Sequence, residues 1–230
     1  MSLTYDLQDG VAVVTMDDGK VNALSHDMMA ALEGAADRAE AEATALVLAG
    51  RPGKFCAGFD LSVMTGGTEQ DVQELVARGA RLSMRLFGFP LPVVAACTGH
   101  ALAAGAILLM ASDIRIGADG EFKLGLNEVS IGMPVPVFAT ELAAHRLSKR
   151  HFTQSILLAR VYTPAEALDV GFLDELADDP IAAATERARQ LGRSLSRGAL
   201  ARTRQNTRGA TISHVLATID AYLGDFAVES

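Results

Sequence analysis

Three short stretches of this chain carry residue types that could do chemistry together. CAGFD (Cys56–Asp60) and GHALAAGA (Gly99–Ala106) put small residues where a strand meets a turn or helix, and LGLNEVSIG (Leu124–Gly132) carries an acid, Glu128. Ala57 and Gly58 in the first, and Ala103, Ala104 and Gly105 in the second, keep side chains out of the way, so backbone N–H groups can face a ligand. The second set also opens an apolar helix, whose positive dipole end favours negative charge. Two such N–H groups converging on one oxygen make an oxyanion hole, and a nearby carboxylate can move a proton. Each stretch alone has a plainer reading. Small residues permit close helix–strand packing, and an Asn-Glu pair before a glycine-containing turn is commonly solvated or capping. Their combination is what argues for a site.

Other chemistries find little support. Neither loop matches GxGxxG or GxxxxGK[ST], so a dinucleotide fold and a phosphate-cradling loop are not indicated. His26, His100, His145, His151 and His214 show no HExxH or paired-ligand spacing, and no metal is expected. Asp60 reads as a structural acceptor for backbone N–H groups, and Glu141 as a charge on a helix surface. Met28, Met29 and Met110 fall at helical spacing or in apolar runs and read as core.

The elements that would hold these stretches follow the rhythm of an α/β domain. Leu3–Leu7 and Val11–Met16 flank Asp9-Gly10 and predict a hairpin. Ser25 caps a predicted helix from about His26 to Ala41, and ALVLAG (Ala45–Gly50) follows as a buried strand. RPGKFCAGFD reads as a loop leading into a polar stretch, before a helix from Gln70 to about Phe87 that stops ahead of Pro90 and Pro92. PVVAAC is a short strand, LAAGAILLM a wholly buried helix, and Ser112–Gly117 and Glu121–Leu124 are short strands. Helices dominate from Pro136 onward, with amphipathic segments at Ile181–Leu195 and Ile212–Phe226 suited to packing on a partner.

With 230 residues, half of them apolar, the chain has length enough for a large core, and it divides into residues 1–190 as core and 191–230 as a C-terminal helical region. A formal charge of −8 argues against a nucleic-acid surface. The N-terminal stretch lacks signal-peptide character, the apolar run Ala101–Ala111 is too short for a membrane span, and Cys56 and Cys97 read as reduced core thiols. A cytoplasmic protein with no membrane association is expected.

Five motifs in order, VNALSHDM, KFCAGFDL, PVVAACTGHALAAGA, LGLNEVSIGMP and TPAEALDVGFLDEL, resemble the crotonase (enoyl-CoA hydratase/isomerase) superfamily. The resemblance implies an α/β, crotonase-like spiral of ββα units, related to the ClpP spiral, with C-terminal helices that assemble a homotrimer or a hexamer of paired trimers. It implies an acyl-CoA thioester as substrate, with coenzyme A as part of that substrate and no permanently bound cofactor. The oxyanion donors would be the N–H groups of Phe59 and Ala104, and the catalytic acid Glu128. The CoA moiety would meet Lys20, Ala23, Leu24, Lys54, Cys56, Ala57 and Gly58, and the acyl group Ile107, Val129 and Met133. Protease chemistry on such a spiral needs a nucleophile in the glycine-containing loop, and GHALAAGA has none.

Hydratases of this superfamily have a second glutamate at the position of Ile107. Water addition needs one group for the water and another for the carbon, so a hydrocarbon there disfavours hydration. The Asn-Glu pair and GMPVPVFATELAAHRL resemble the Δ3,Δ2-enoyl-CoA isomerases that use one glutamate. A proton shuttle from C2 to C4 is thus the leading expectation. Enoyl-CoA hydratase is the runner-up, and a non-catalytic acyl-CoA-binding protein or a helix-rich assembly protein stays open. Many members of the superfamily carry a DxxEGxxAFxxKRxPxF-like tail over the acyl pocket where this chain reads GDFAVES, so a different closure of the pocket is expected.

Overall fold

The computed structural model describes residues 3–224. Its plan follows from strands that are apolar on both faces. Strands β1 (Leu3–Gln8) and β2 (Val11–Met16) form the expected hairpin, with Asp9 and Gly10 both at positive φ in the turn. Helix α1 (His26–Glu42), capped by Ser25, leads to β3 (Ala45–Ala49). Then come β4 (Gly53–Cys56), α2 (Leu61–Gly66), α3 (Glu69–Phe87), β5 (Val93–Cys97), β6 (Gly99–Leu102) and α4 (Ala104–Ala111). The remainder is β7 (Ile114–Gly117), β8 (Leu124–Gly125), α5 (Val137–Arg146), α6 (Phe152–Ile156), α7 (Pro164–Val170), β9 (Glu175–Leu176), α8 (Pro180–Ser194) and α9 (Arg197–Gly224).

Three successive strand pairs each divide between two sheets. β3, β5 and β7 join a six-stranded sheet of order β1-β2-β3-β5-β7-β9, while β4, β6 and β8 form a second, parallel three-stranded sheet. Each pair is followed by helical structure, which gives the expected spiral of ββα turns. Alternation along β2, β3 and β5 splits the core in two. Val14, Leu46, Leu48, Val93 and Ala95 face the cluster containing α1, α3 and α4. Val13, Val47, Val94 and Ala96 face Ala184 and Ala188 of α8.

Several expectations need correction. RPGKFC is no simple loop: its last four residues are β4, held by pairing with β6, where Lys54 lies opposite His100. The helix read as starting at Leu102 begins at Ala104, because Gly99–Leu102 belongs to β6. The strand expected at Glu121–Leu124 is reduced to Leu124–Gly125. The polar stretch around Thr65–Asp71 is mostly helical: Asp60 accepts from the Ser62 N–H to cap α2, and Thr68 and Asp71 form a capping box for α3. The division at residue 190 falls inside α8, which packs on the six-stranded sheet. Helix α9 begins fifteen residues before the expected Ile212 and packs against α3 of its own chain. The expected helix end at Phe226 and the GDFAVES residues from Asp225 on lie outside the described residues. Among the described residues, no helix is long and apolar enough to cross a membrane.

Candidate active site

The site forms where the two sheets hand over to helices. Asn22 is fully buried at a positive φ, and its side-chain amide donates to the carbonyls of Met16 (2.9 Å), Lys54 (3.1 Å) and Phe55 (3.2 Å). It thereby ties the segment before α1 to β4. The following Leu24 N–H donates to Gly58 O (2.8 Å), and the Asp60 N–H to Leu24 O (3.3 Å), a parallel bridge between Leu24 and Phe59. This pairing uses the groups flanking Phe59, so the Phe59 N–H faces away from Leu24.

The second expected donor lies at the start of α4. Ala103 sits at φ 49 and its N–H donates to Gly125 O (3.0 Å), while Ala104 opens the helix with an N–H that has no intrahelical acceptor. Glycine brings the two loops together. A Cβ on Gly58, whose φ is +120, would lie 3.1 Å from Ala103 Cβ and 3.9 Å from the Ala104 nitrogen. A Cβ on Gly105 would fall 2.1 Å from the Cys56 carbonyl oxygen, so α4 can press this closely on β4 only without a side chain there. The Phe59 ring fits where α3 has Gly79, since a Cβ at that glycine would meet the ring at 2.4 Å.

Glu128 faces this junction from a different element. It leads into a short 3-10 turn, Val129–Ile131, and its carbonyl accepts from the Ile131 and Met133 N–H groups at 3.0 Å each. The side chain is 5% exposed, and its Oε2 is buried with no hydrogen-bond partner. Burial pushes the carboxyl up to about 7, against a smaller lowering by a backbone hydrogen bond. The acid is therefore poised to gain or lose a proton near neutrality.

A cavity of about 370 Å³ lies against the Gly58–Phe59 loop and Glu128 and reaches α4 at Ala103, with the buried Ala104 just behind its wall. Ala57, Gly58, Phe59, Ala103, Glu128 and Met133 line it, and Glu128 is the sole ionisable side chain among its described lining residues. The sequence reading missed Leu61 and Met64 of α2, Val76 of α3, Asn127, Ile131 and Pro136. The Asp60-x-Ser62 cap was the signal that could have revealed α2. Two residues assigned to the acyl pocket do not line the cavity. Ile107 is 1% exposed and points into the core around α4, and Val129 is 46% exposed because the 3-10 turn carries it to the surface. Lys20 is exposed, Lys54 and Ala23 are half-buried, Leu24 and Cys56 are buried, and none of these five lines the cavity.

Residues 6–215 match the family model described as Enoyl-CoA hydratase/isomerase. The chain belongs to the enoyl-CoA hydratase/isomerase family. It is thus a member of an enzyme family, the one its five motifs resemble. Relatives within this family carry both names. The human mitochondrial enoyl-CoA delta isomerase 1 is 27% identical over 93% of this chain and 76% of its own length. A probable enoyl-CoA hydratase of Bacillus subtilis is 34% identical over 79% of this chain and 70% of its own. The structure of an enoyl-CoA isomerase from Mycobacterium tuberculosis superposes with a TM-score of 0.91 at 38% identity, covering 98% of this chain and 99% of that one. Family membership leaves isomerase and hydratase to be separated by the site itself.

Proposed function

We propose that this enoyl-CoA hydratase/isomerase family member is a Δ3,Δ2-enoyl-CoA isomerase acting through one carboxylate. The observation that carries the reading is a solitary acid, Glu128, in a cavity also lined by Phe59 and Ala103, with hydrocarbon at Ile107 where a hydratase would place a second acid. Ionised Glu128 takes a proton from C2 of a 3-enoyl-CoA. Negative charge then moves onto the thioester oxygen, where the N–H groups of Phe59 and Ala104 hold it. The Glu128 acid returns the proton to C4 and leaves a 2-trans-enoyl-CoA. Fixed backbone donors need no reorganisation as the charge develops, and losing one such donor typically costs about 2.7–4 kcal/mol of barrier.

The CoA portion is assigned to the segments holding Lys20, Ala23 and Leu24 and Lys54, Cys56, Ala57 and Gly58. A homotrimer or paired trimers in the cytoplasm completes the proposal, in keeping with two free buried cysteines. The test is to give the protein 3-hexenoyl-CoA and 2-trans-hexenoyl-CoA separately and identify the products. Conversion of the first to the conjugated isomer, with no hydration of the second above background, is expected. Hydration faster than isomerisation would assign a hydratase, and binding without turnover an acyl-CoA-binding protein.

A further inference from the structure

A second cavity, of about 230 Å³, lies beside the catalytic one, between the start of α5 and the last turns of α9. Pro136 lines both cavities. The second is walled mostly by hydrocarbon, with Thr218 and Tyr222 its polar side chains and Phe138 on α5 opposite Val215, Ile219 and Leu223, which recur every four residues along one face of α9. Pro134 and Pro136 hold the partition in an extended conformation, φ −63 and ψ 149 at Pro136, and restrict its movement. The chain from Glu128 reaches this partition within eight residues, past Met133, which also lines the catalytic cavity. An apolar space with few polar groups suits an alkyl chain and nothing charged.

Resting on the isomerase reading, we propose that the far part of the acyl tail passes Pro136 into this α5–α9 groove. The enzyme then prefers medium- and long-chain 3-enoyl-CoA substrates to short ones. Each methylene taken from water into such a groove is worth up to about fourfold in kcat/KM. Ile219 and Val215 are the residues that set how much tail fits.

The experiment compares 3-dodecenoyl-CoA with 3-hexenoyl-CoA by kcat/KM, and 2-trans-dodecenoyl-CoA with 2-trans-hexenoyl-CoA by calorimetric Kd, which needs no turnover. Wild-type protein is expected to favour the longer chain at least about tenfold in both. Ile219→Phe and Val215→Phe, each checked for folding by circular dichroism, are expected to lower that ratio about tenfold. A wild-type ratio near one overturns the proposal, as does an unchanged ratio in a folded variant. If a variant keeps the ratio but changes oligomeric state, the groove belongs to a second copy instead. Long-chain preference in Kd without turnover of either substrate would sink the isomerase reading and leave the tail groove standing.

Discussion

Glu128, the acid of the proposed mechanism, carries a cost in stability. Its carboxyl titrates at about 7 in the folded chain against an ordinary value of 4.5. Across that window the unfolded chain has released a proton that the folded chain retains, so stability falls as pH rises and levels off above about 7. The shift corresponds to about 3 kcal/mol. Glu128→Gln is therefore expected to raise unfolding stability by about 1–3 kcal/mol at pH 8 and to change it little near pH 4, as read from urea denaturation. Wild-type kcat/KM should climb with pH and flatten above about 7, because the base must be ionised; a flat profile from pH 5 to 8 would remove Glu128 from the role. At this scale the sequence was most legible where backbone atoms act, since CAGFD and GHALAAGA place donors whatever the neighbouring side chains are. It was least legible at Ile107 and Val129, whose directions depend on a buried helix and on a 3-10 turn that no spacing announces.

At the scale of elements, the site is a contact between β4 and the start of α4. Gly105→Ala would drive a methyl against the Cys56 carbonyl, move Ala104 relative to Phe59, and lower kcat on the order of 10²-fold, by the loss typical of one oxyanion donor. A steady-state assay checks this, and near-normal kcat would show that the spacing of the two loops does not matter. Asn22→Ala removes three hydrogen bonds, two of them buried, from the segment before α1 to the rest of the fold and is expected to destabilise by about 2–4 kcal/mol in urea. The first hairpin, α1, β3, α3 and β5 were readable because their periodicity agrees with their burial. β4 was not: a four-residue strand containing glycine and lysine owes its structure to the β6 edge beside it.

At the scale of the whole molecule, α9 is held by charge as well as by its apolar stripe. Asp113, just before β7, takes contacts from Arg204 and Arg208 of α9 and accepts from the Val93 N–H, and Arg204 also donates to Leu91 O (2.8 Å). The Arg204 side chain is 5% exposed, so Asp113→Ala would leave a buried cation unbalanced. A loss of about 3–5 kcal/mol is expected, with faster amide exchange in α9 than elsewhere. These arginines also explain why the first half of α9 escaped the sequence reading, since Arg204 and Arg208 occupy the face where an apolar repeat would be sought. The ββα order was legible from five motifs, whereas the docking of α9 on α3 depends on pairs far apart in sequence. The most direct test of the central claim is single-turnover conversion of 3-hexenoyl-CoA by wild-type protein and Glu128→Gln under matched saturation. A single acid moving the proton requires conjugated product from the wild type and a rate at least about 10³-fold lower in the variant. Conjugation at a similar rate in a folded Glu128→Gln protein would contradict it.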